Sequence, residues 1–179
     1  MSIELIFGPM FSGKTTRLIS KIERFLIAKK KVIALKWKGD TRYTEEAQIM
    51  THSGLSCECI PADDNDLNDI YSQIQNFEII CIDEGSFFKN IVNFCEFLAN
   101  KGHRVIVASL VGTFERKGFN DILNLIPKCE NIEMLHSICT KCRCEGAAFT
   151  KRIIDTNQVE VIGGSESYQS VCRKCFYAK

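Results

Sequence analysis

The residues best suited to chemistry in this chain sit near its start, in the run Leu5 to Leu18, LIFGPMFSGKTTRL. Gly8 and Gly13 frame a G-x-x-x-x-G-K-[ST] loop that closes on Lys14 and Thr15. Backbone N–H groups of such a loop converge on phosphate oxygens at a helix N-terminus, where the helix dipole also favours negative charge. Gly8, Pro9, Met10, Phe11, Ser12, Gly13, Lys14 and Thr15 are therefore expected to hold a nucleotide phosphate. Lys14 would reach the β and γ phosphates, and the Thr15 hydroxyl would sit on Mg²⁺. The alternative, a chance glycine-rich turn, lacks the flanking strand and helix patterns that this run has.

A second pair of reactive groups, Asp83 and Glu84, ends the apolar run FEIICIDEGSFF. A carboxylate there usually serves the Mg²⁺ shell, and Asp83 fits that role. Glu84 points elsewhere and could deprotonate an attacking hydroxyl. On these residues alone, a pair that positions water in an ATPase fits as well.

Cysteines supply the third constellation. Cys139-x₂-Cys142 and Cys172-x₂-Cys175 are two CxxC pairs separated by 29 residues. Two such knuckles complete a tetrahedral Cys₄ zinc site with no open position, a structural site rather than a catalytic one. The gap exceeds the common ribbon spacing, so a longer loop must be pinned between the knuckles. Cys144 is a spare, and Cys57, Cys59, Cys81, Cys95 and Cys129 read as core or surface thiols.

The elements that must position these groups alternate. Ile3 to Phe7 is a strand ahead of the loop, and a helix follows with Leu18, Ile22, Phe25 and Leu26 on one face. KKVIALKW is a second strand, and the polar stretch KGDTRYTEEAQIMTHSG reads as loop. CECIPADDNDLNDIYSQI passes from a short strand into a helix with Asp63, Asp64 and Asp66 at its start. After FEIICID comes an amphipathic helix, NIVNFCEFLANKG, burying Ile91, Phe94, Cys95 and Leu98 and stopped at Gly102. HRVIVASL is a strand, NDILNLIP a short helix capped by Asn120 and stopped by Pro127, and IEMLHSIC another strand. Alternating strands and helices imply a parallel sheet covered on both faces. The character changes at Cys139, which suggests an α/β nucleotide-binding domain over 1–138 and a small zinc-binding domain over 139–179.

Composition narrows the function. The 179 residues are 45% hydrophobic and 25% charged, which is globular. A net charge of +1 demands neither a nucleic-acid nor a membrane partner. The run Lys29-Lys30-Lys31 reads as a solvated helix end. No apolar stretch approaches the ~20 residues of a membrane span, and a strand begins where a leader would lie. Ten cysteines beside a P-loop fit a reducing compartment, so a cytoplasmic location is expected.

Taken together, these residues resemble the thymidine kinases of the cytosolic and poxviral type, with ends as short as those of the viral members. The likeness covers nearly the whole chain and rests on GPMFSGKTT, DTRY, Thr51-His52, IDEG-FF, IVNFCEFLANKGHRVIVASL, GTFERK-F, ILNLIP, FTKR, VEVIGG and Y-SVCRKC in order. The resemblance implies a RecA-like fold with a small zinc domain, usually a homotetramer. It implies transfer of the ATP γ-phosphate to the 5′-hydroxyl of thymidine, with thymidine triphosphate as feedback inhibitor at the acceptor site. It makes Glu84 the general base, leaves Asp83 near Mg²⁺ and makes Arg42 a phosphate-neutralising arginine. Phe87, Leu110, Phe114 and Phe119 would wall the base pocket. Thr150, Val159, Val161, Gly163 and Tyr168 would lie on a lasso loop closing over thymine, pinned by the two knuckles. His52 is given no role. Ser86, Val111 and Gly118 stand where the family usually has Gln, Asp and Pro, and activity is expected to persist.

Two rivals remain: a broader deoxynucleoside kinase, and a P-loop ATPase with a zinc-ribbon nucleic-acid module. The second needs a basic stripe with interleaved aromatics, whereas Lys141, Arg143, Lys151, Arg152, Arg173 and Lys174 are scattered. Because the knuckles flank the lasso loop while the P-loop and Glu84 belong to the other domain, loss of zinc is expected to weaken thymidine binding far more than ATP binding.

Overall fold

A computed structural model describes residues 1–40, 47–51, 54–63, 67–156 and 161–178. Its strands in chain order are β1 (Ser2–Phe7), β2 (Val32–Trp37), β3 (Gln48–Met50), β4 (Ser56–Glu58), β5 (Ile60–Ala62), β6 (Ile79–Asp83), β7 (Arg104–Ser109), β8 (Asn131–Met134), β9 (Phe149–Arg152) and β10 (Tyr168–Val171). The α-helices are α1 (Lys14–Ile27), α2 (Leu67–Ile74), α3 (Ile91–Asn100) and α4 (Arg173–Tyr177). Six strands form one sheet in the order β5-β2-β6-β7-β1-β8, with every neighbour parallel.

Strand side chains alternate between faces, and both faces of this sheet are covered. Ile3, Leu5, Leu35, Ile80, Ile82, Val105 and Val107 pack on one side with Ile70 and Ile74 of α2 and with Ile91, Phe94, Cys95 and Leu98 of α3. Ile6, Ala34, Cys81, Ile106 and Ala108 pack on the other with Leu18, Ile19 and Ile22 of α1. The stripe on α3 is the one its spacing predicts. On α1 the stripe turns slightly: Ile19 is buried, while Leu26, on the last turn, is 53% exposed.

Both helix ends are closed by the backbone. Gly102 and His103 donate to the carbonyls of Ala99 and Leu98, at 2.9 and 3.1 Å, the paired bonds of a Schellman stop. At α1 the same role falls to Lys29 and Lys30, donating to Leu26 and Phe25 at 2.9 and 3.0 Å. The lysine run is a helix end, as expected, and Lys30 also meets Glu78 at 2.8 Å.

Three local readings change. Within the stretch read as loop, β3 pairs antiparallel with β4 because Ile49 has a core position to fill, at 1% exposure. Asn120 does not cap a helix: residues 122–128 form a 3₁₀ helix with Asp121 at its N-cap and Pro127 inside. The Asn120 amide instead donates to the Ser86 carbonyl at 2.8 Å. The last strand of the sheet ends at Met134, and the chain leaves across the phosphate loop before reaching Cys139. Beyond it, β9 and β10 pair antiparallel, and Cys139, Ala147, Val171 and Cys175 form a separate small core. Asp64, Asp66 and His52 lie outside the described residues.

Glu4 is a buried charge in β1 at 2% exposure, paired with Lys21 at 2.6 Å and Arg104 at 3.2 Å. Burial pushes its carboxyl up, but the two cations together outweigh burial and hold it below its ordinary value of 4.5. A depressed carboxyl contributes stability above its unfolded value and loses it as pH falls through the folded one. Glu4→Gln should therefore cost about 1–3 kcal/mol at pH 7, and the gap from wild type should close below pH 4.5. Urea unfolding at pH 7 and at successively lower pH measures both.

Candidate functional site

The phosphate loop joins β1 to α1 at the carboxyl edge of the sheet. Gly13 takes φ +82°, a left-handed conformation that costs other residues. Gly8 has no room for a side chain: a Cβ there would run into the Leu135 carbonyl oxygen of the crossing segment. Lys14 Nζ donates to the Pro9 carbonyl at 2.8 Å, as does the Ser12 hydroxyl. Phe11 is held at φ +61°, a strained position for a side chain of its size.

Asp83, at the buried end of β6, accepts the Thr15 hydroxyl at 3.2 and 3.3 Å. Adjacent oxygens around an octahedral Mg²⁺ stand about 3 Å apart, given Mg–O bonds of ~2.1 Å, so this pair fits a Mg²⁺ edge. Glu84 follows in a left-handed conformation, φ 55° and ψ 40°, at 8% exposure. Strain of this kind in a non-glycine residue persists only where the surroundings over-determine it, and it concentrates at functional sites. The turn Gly85–Phe87, with Phe87 N–H on the Glu84 carbonyl at 3.1 Å, keeps it there.

Two cavities meet at this point. An open cleft is lined by Lys14, Thr15, Asp83 and Glu84 among others. A smaller apolar cavity is lined by Phe87, Leu110, Phe114, Phe119, Thr150, Val161, Gly163 and Tyr168, each singled out by the family resemblance. Met10, Asp40, Leu110 and Tyr168 belong to both walls, so the two spaces adjoin. Trp37 stacks on Phe87 at 4.6 Å and 13°, and Phe119 meets Phe87 edge-on at 5.3 Å. The Tyr168 hydroxyl donates to the Val161 carbonyl at 2.9 Å and closes the loop between them. Arg42 and Val159 lie outside the described residues.

Sequence reasoning missed Trp37, Asp40, Thr113 and Ile162 in the apolar cavity and assigned Met10 to phosphate alone. Trp37 and Asp40 follow the carboxyl end of a strand, and that position was the available signal. Of the three departures from the family pattern, Ser86 leaves a buried hydroxyl without a hydrogen-bond partner. Val111 packs on the main core, and a Cβ at position 118 would press on the Leu123 side chain at 2.6 Å.

The Sγ atoms of Cys139, Cys142, Cys172 and Cys175 all lie within 4.8 Å of one another. Sulfurs around tetrahedral zinc stand about 3.8 Å apart for Zn–S bonds of ~2.3 Å, so the four fit a structural zinc. The Cys142 N–H, then those of Cys172 and Lys141, outweigh burial and hold the Cys139 thiol below its ordinary value, which favours the thiolate that a metal would need. Cys144 approaches Cys142 at 3.3 Å but stands outside the four.

The metal-bearing part is bonded to the phosphate loop. Met10 N–H donates to the Thr150 hydroxyl at 3.0 Å in a buried contact, and the Ser137 hydroxyl donates to the Phe11 carbonyl at 3.0 Å. Ser137 and Ser170 hydroxyls meet at 2.9 Å. Hydrogen bonds that the sequence does not reveal thus join the two parts at the phosphate loop.

Fold and site define a P-loop nucleotide-binding protein with an apolar pocket beside its phosphate loop. The thymidine kinase family model matches residues 1–176. The chain is 48% identical to the thymidine kinase of vaccinia virus (strain Western Reserve) over 174 residues, 97% of this chain and 96% of that one. It is 46% identical to the cytosolic thymidine kinase of Gallus gallus, over 99% of this chain and 77% of that one. Thymidine kinase 1 of Dictyostelium discoideum is likewise 46% identical, over 97% of this chain and 77% of its own. The chain belongs to the thymidine kinase family.

Metal analysis of purified, reduced protein should give one zinc per chain. Cys172→Ser should abolish that equivalent and, through Thr150 and Ser137, weaken ATP and thymidine binding together. Calorimetric titration of each ligand checks the pairing.

Proposed function

We propose that the protein transfers the γ-phosphate of ATP to the 5′-hydroxyl of thymidine, giving thymidine monophosphate for nucleotide salvage. The observation that supports this reading is the apolar cavity lying directly beside the phosphate cleft, with four residues shared between their walls and Glu84 lining the cleft. A flat, weakly polar base suits the aromatic wall of Phe87, Phe114, Phe119 and Tyr168, and a sugar hydroxyl attached to it would reach toward the phosphates.

In this reading the loop from Gly8 to Thr15 grips the ATP phosphates, and Arg42 adds positive charge there. Thr15 and Asp83 would hold Mg²⁺, which would supply charge neutralisation at the phosphate oxygens. Glu84 accepts the proton of the 5′-hydroxyl as its oxygen attacks. Leu110, Thr150 of β9 and Tyr168 of β10 wall the base, and the stretch between these strands, with Val159, Val161 and Gly163, closes over it and excludes water, which would otherwise compete as acceptor. The segments 1–138 and 139–179 act as a nucleotide-binding domain and a zinc-held lid.

Thymidine triphosphate is a natural inhibitor for such a site. A base in the apolar cavity could send its phosphates past the shared wall at Met10 and Leu110 toward the P-loop. Inhibition competitive with thymidine would support it. A homotetramer belongs to the same reading, and the open edge at β8, where Ile132 and Met134 are 42% and 48% exposed, favours self-association. A cytoplasmic location is supported by the cytosolic naming of the Gallus gallus and Bos taurus relatives. Among the described residues no helix is long and apolar enough to cross a membrane.

A panel of nucleosides in one coupled kinase assay tests the function: thymidine should be the preferred acceptor, and equal rates for other deoxynucleosides would favour the broader kinase. DNA-stimulated ATPase activity without nucleoside phosphorylation would favour the nucleic-acid rival. Glu84→Gln keeps the shape and loses the base, so kcat should fall roughly 10²–10⁴-fold while ATP binding survives. A near-normal kcat would remove Glu84 from the mechanism.

A further inference from the structure

The wall residue Phe114 sits on a tight hairpin between β7 and the 3₁₀ helix. Gly112 and Gly118 bridge its base, and Thr113 N–H bonds the Lys117 carbonyl at 2.9 Å. Two residues past Phe114, Arg116 adopts φ +61°, a conformation uncommon for a side-chain-bearing residue. Its guanidinium lies 4.8 Å from the ring centre of Tyr177, 5.0 Å from Phe176 and 5.9 Å from Phe149. All three rings belong to β9 and α4, across the boundary at Cys139. In the opposite direction, Arg152 of β9 lies over the ring of Phe114 at 3.5 Å. The rings around Arg116 are themselves fixed: Lys151 Nζ donates to the Phe176 and Ala178 carbonyls at 2.9 and 3.2 Å. Helix α4 also carries the metal ligand Cys175.

We infer that Arg116 and Arg152 form a two-way arginine–aromatic clasp that positions Phe114 as a wall of the acceptor pocket. Both are positioning residues for acceptor binding, and Arg116 sets how closely the hairpin sits against the metal-bearing part. The left-handed backbone at Arg116 belongs to the hairpin turn, in which Arg116 N–H bonds the Thr113 carbonyl at 2.9 Å; what the turn does not require is a guanidinium laid against three rings. Cation–π contacts of this kind are individually modest but add across a cage. Phe114 lines the apolar cavity, and neither it nor the three rings around Arg116 line the phosphate cleft, so the clasp acts on the acceptor more than on ATP. The inference rests on the thymidine-acceptor reading.

The test uses Trp37, the only tryptophan of the chain, which lines the pocket and stacks on Phe87. Thymidine is titrated by tryptophan fluorescence, and KM for thymidine and ATP and kcat are measured beside zinc content and Tm. Arg116→Ala should raise thymidine Kd and KM roughly five- to tenfold, with ATP KM, kcat at saturating thymidine and zinc content within about twofold of wild type. Arg116→Lys, which keeps the cation, should recover part of the loss. Tyr177→Leu should mimic Arg116→Ala, and the double variant should be little worse than either single one. Unchanged thymidine affinity in folded Arg116→Ala, equal losses for ATP and thymidine, or fully additive effects would each overturn the clasp. Should Arg116→Ala fail to fold, Arg116→Lys and Tyr177→Leu decide by the same readouts. A wild type that neither binds nor phosphorylates thymidine would overturn the acceptor reading and the clasp with it, whereas an active wild type with an unaltered Arg116→Ala overturns the clasp alone.

Discussion

The hydrogen bond from the Met10 N–H to the Thr150 hydroxyl spans 140 residues of chain and is buried. Met10 stands in the wall shared by the phosphate cleft and the apolar cavity. Whatever fixes this point fixes the distance between a bound phosphate and a bound acceptor, and phosphoryl transfer depends on that distance above all, since its catalysis is mostly positioning and charge. The partner of Met10 must therefore be as rigid as the sheet that carries the phosphate loop. Burial alone does not supply that rigidity. The core around β9, β10 and α4 consists of Cys139, Ala147, Val171 and Cys175, with Phe149, Cys172 and Phe176 at its margin. A piece this small needs a cross-link or a metal to be stable. Two of its four fully buried members are zinc ligands, so the metal is the centre of that core rather than an addition to it.

The parallel sheet does the rest of the assembly. Strands β2, β6, β7 and β1 are successive neighbours running in one direction, so their carboxyl ends open on the same edge. From those ends come Trp37 and Asp40, Asp83 and Glu84, Leu110, and the phosphate loop. Ligand sites of open α/β sheets lie at this edge because only there can loops diverge to leave a crevice. The geometry also accounts for the strain at Glu84. Asp83 must end inside the sheet to meet Thr15, and the next residue has to turn sharply to face the cleft. A left-handed turn achieves this in one residue.

The metal-bearing part thus contacts the sheet domain in two places with different duties. Thr150 bonds the phosphate loop directly and Ser170 does so through Ser137, just before the boundary, while the rings of β9 and α4 receive Arg116. Segments that close over an acceptor usually do so to exclude water. The stretch from Val161 to Tyr168 is tied back on itself by the Tyr168 hydroxyl, which donates to the Val161 carbonyl at 2.9 Å.

Much of this was legible in the order of residues alone. The phosphate loop, the Asp83-Glu84 pair and the two CxxC knuckles announce themselves because each needs particular residue types at fixed short spacing, set by the geometry of phosphate, Mg²⁺ and zinc. The parallel sheet followed from alternating apolar runs, and the buried stripe of α3 from its 3.6-residue period. The tertiary structure alone decided what depended on distance through space. No local pattern distinguishes Trp37 as a pocket wall from Trp37 as core, or shows that β3 is a strand rather than loop. Asn120 looked like a helix cap because its type favours one, yet a carbonyl 34 residues away, on Ser86, offered it a better partner. The bond from Met10 to Thr150 was equally invisible. Its two halves are an ordinary backbone N–H and an ordinary threonine, and only the fold that brings residues 10 and 150 together makes them one device.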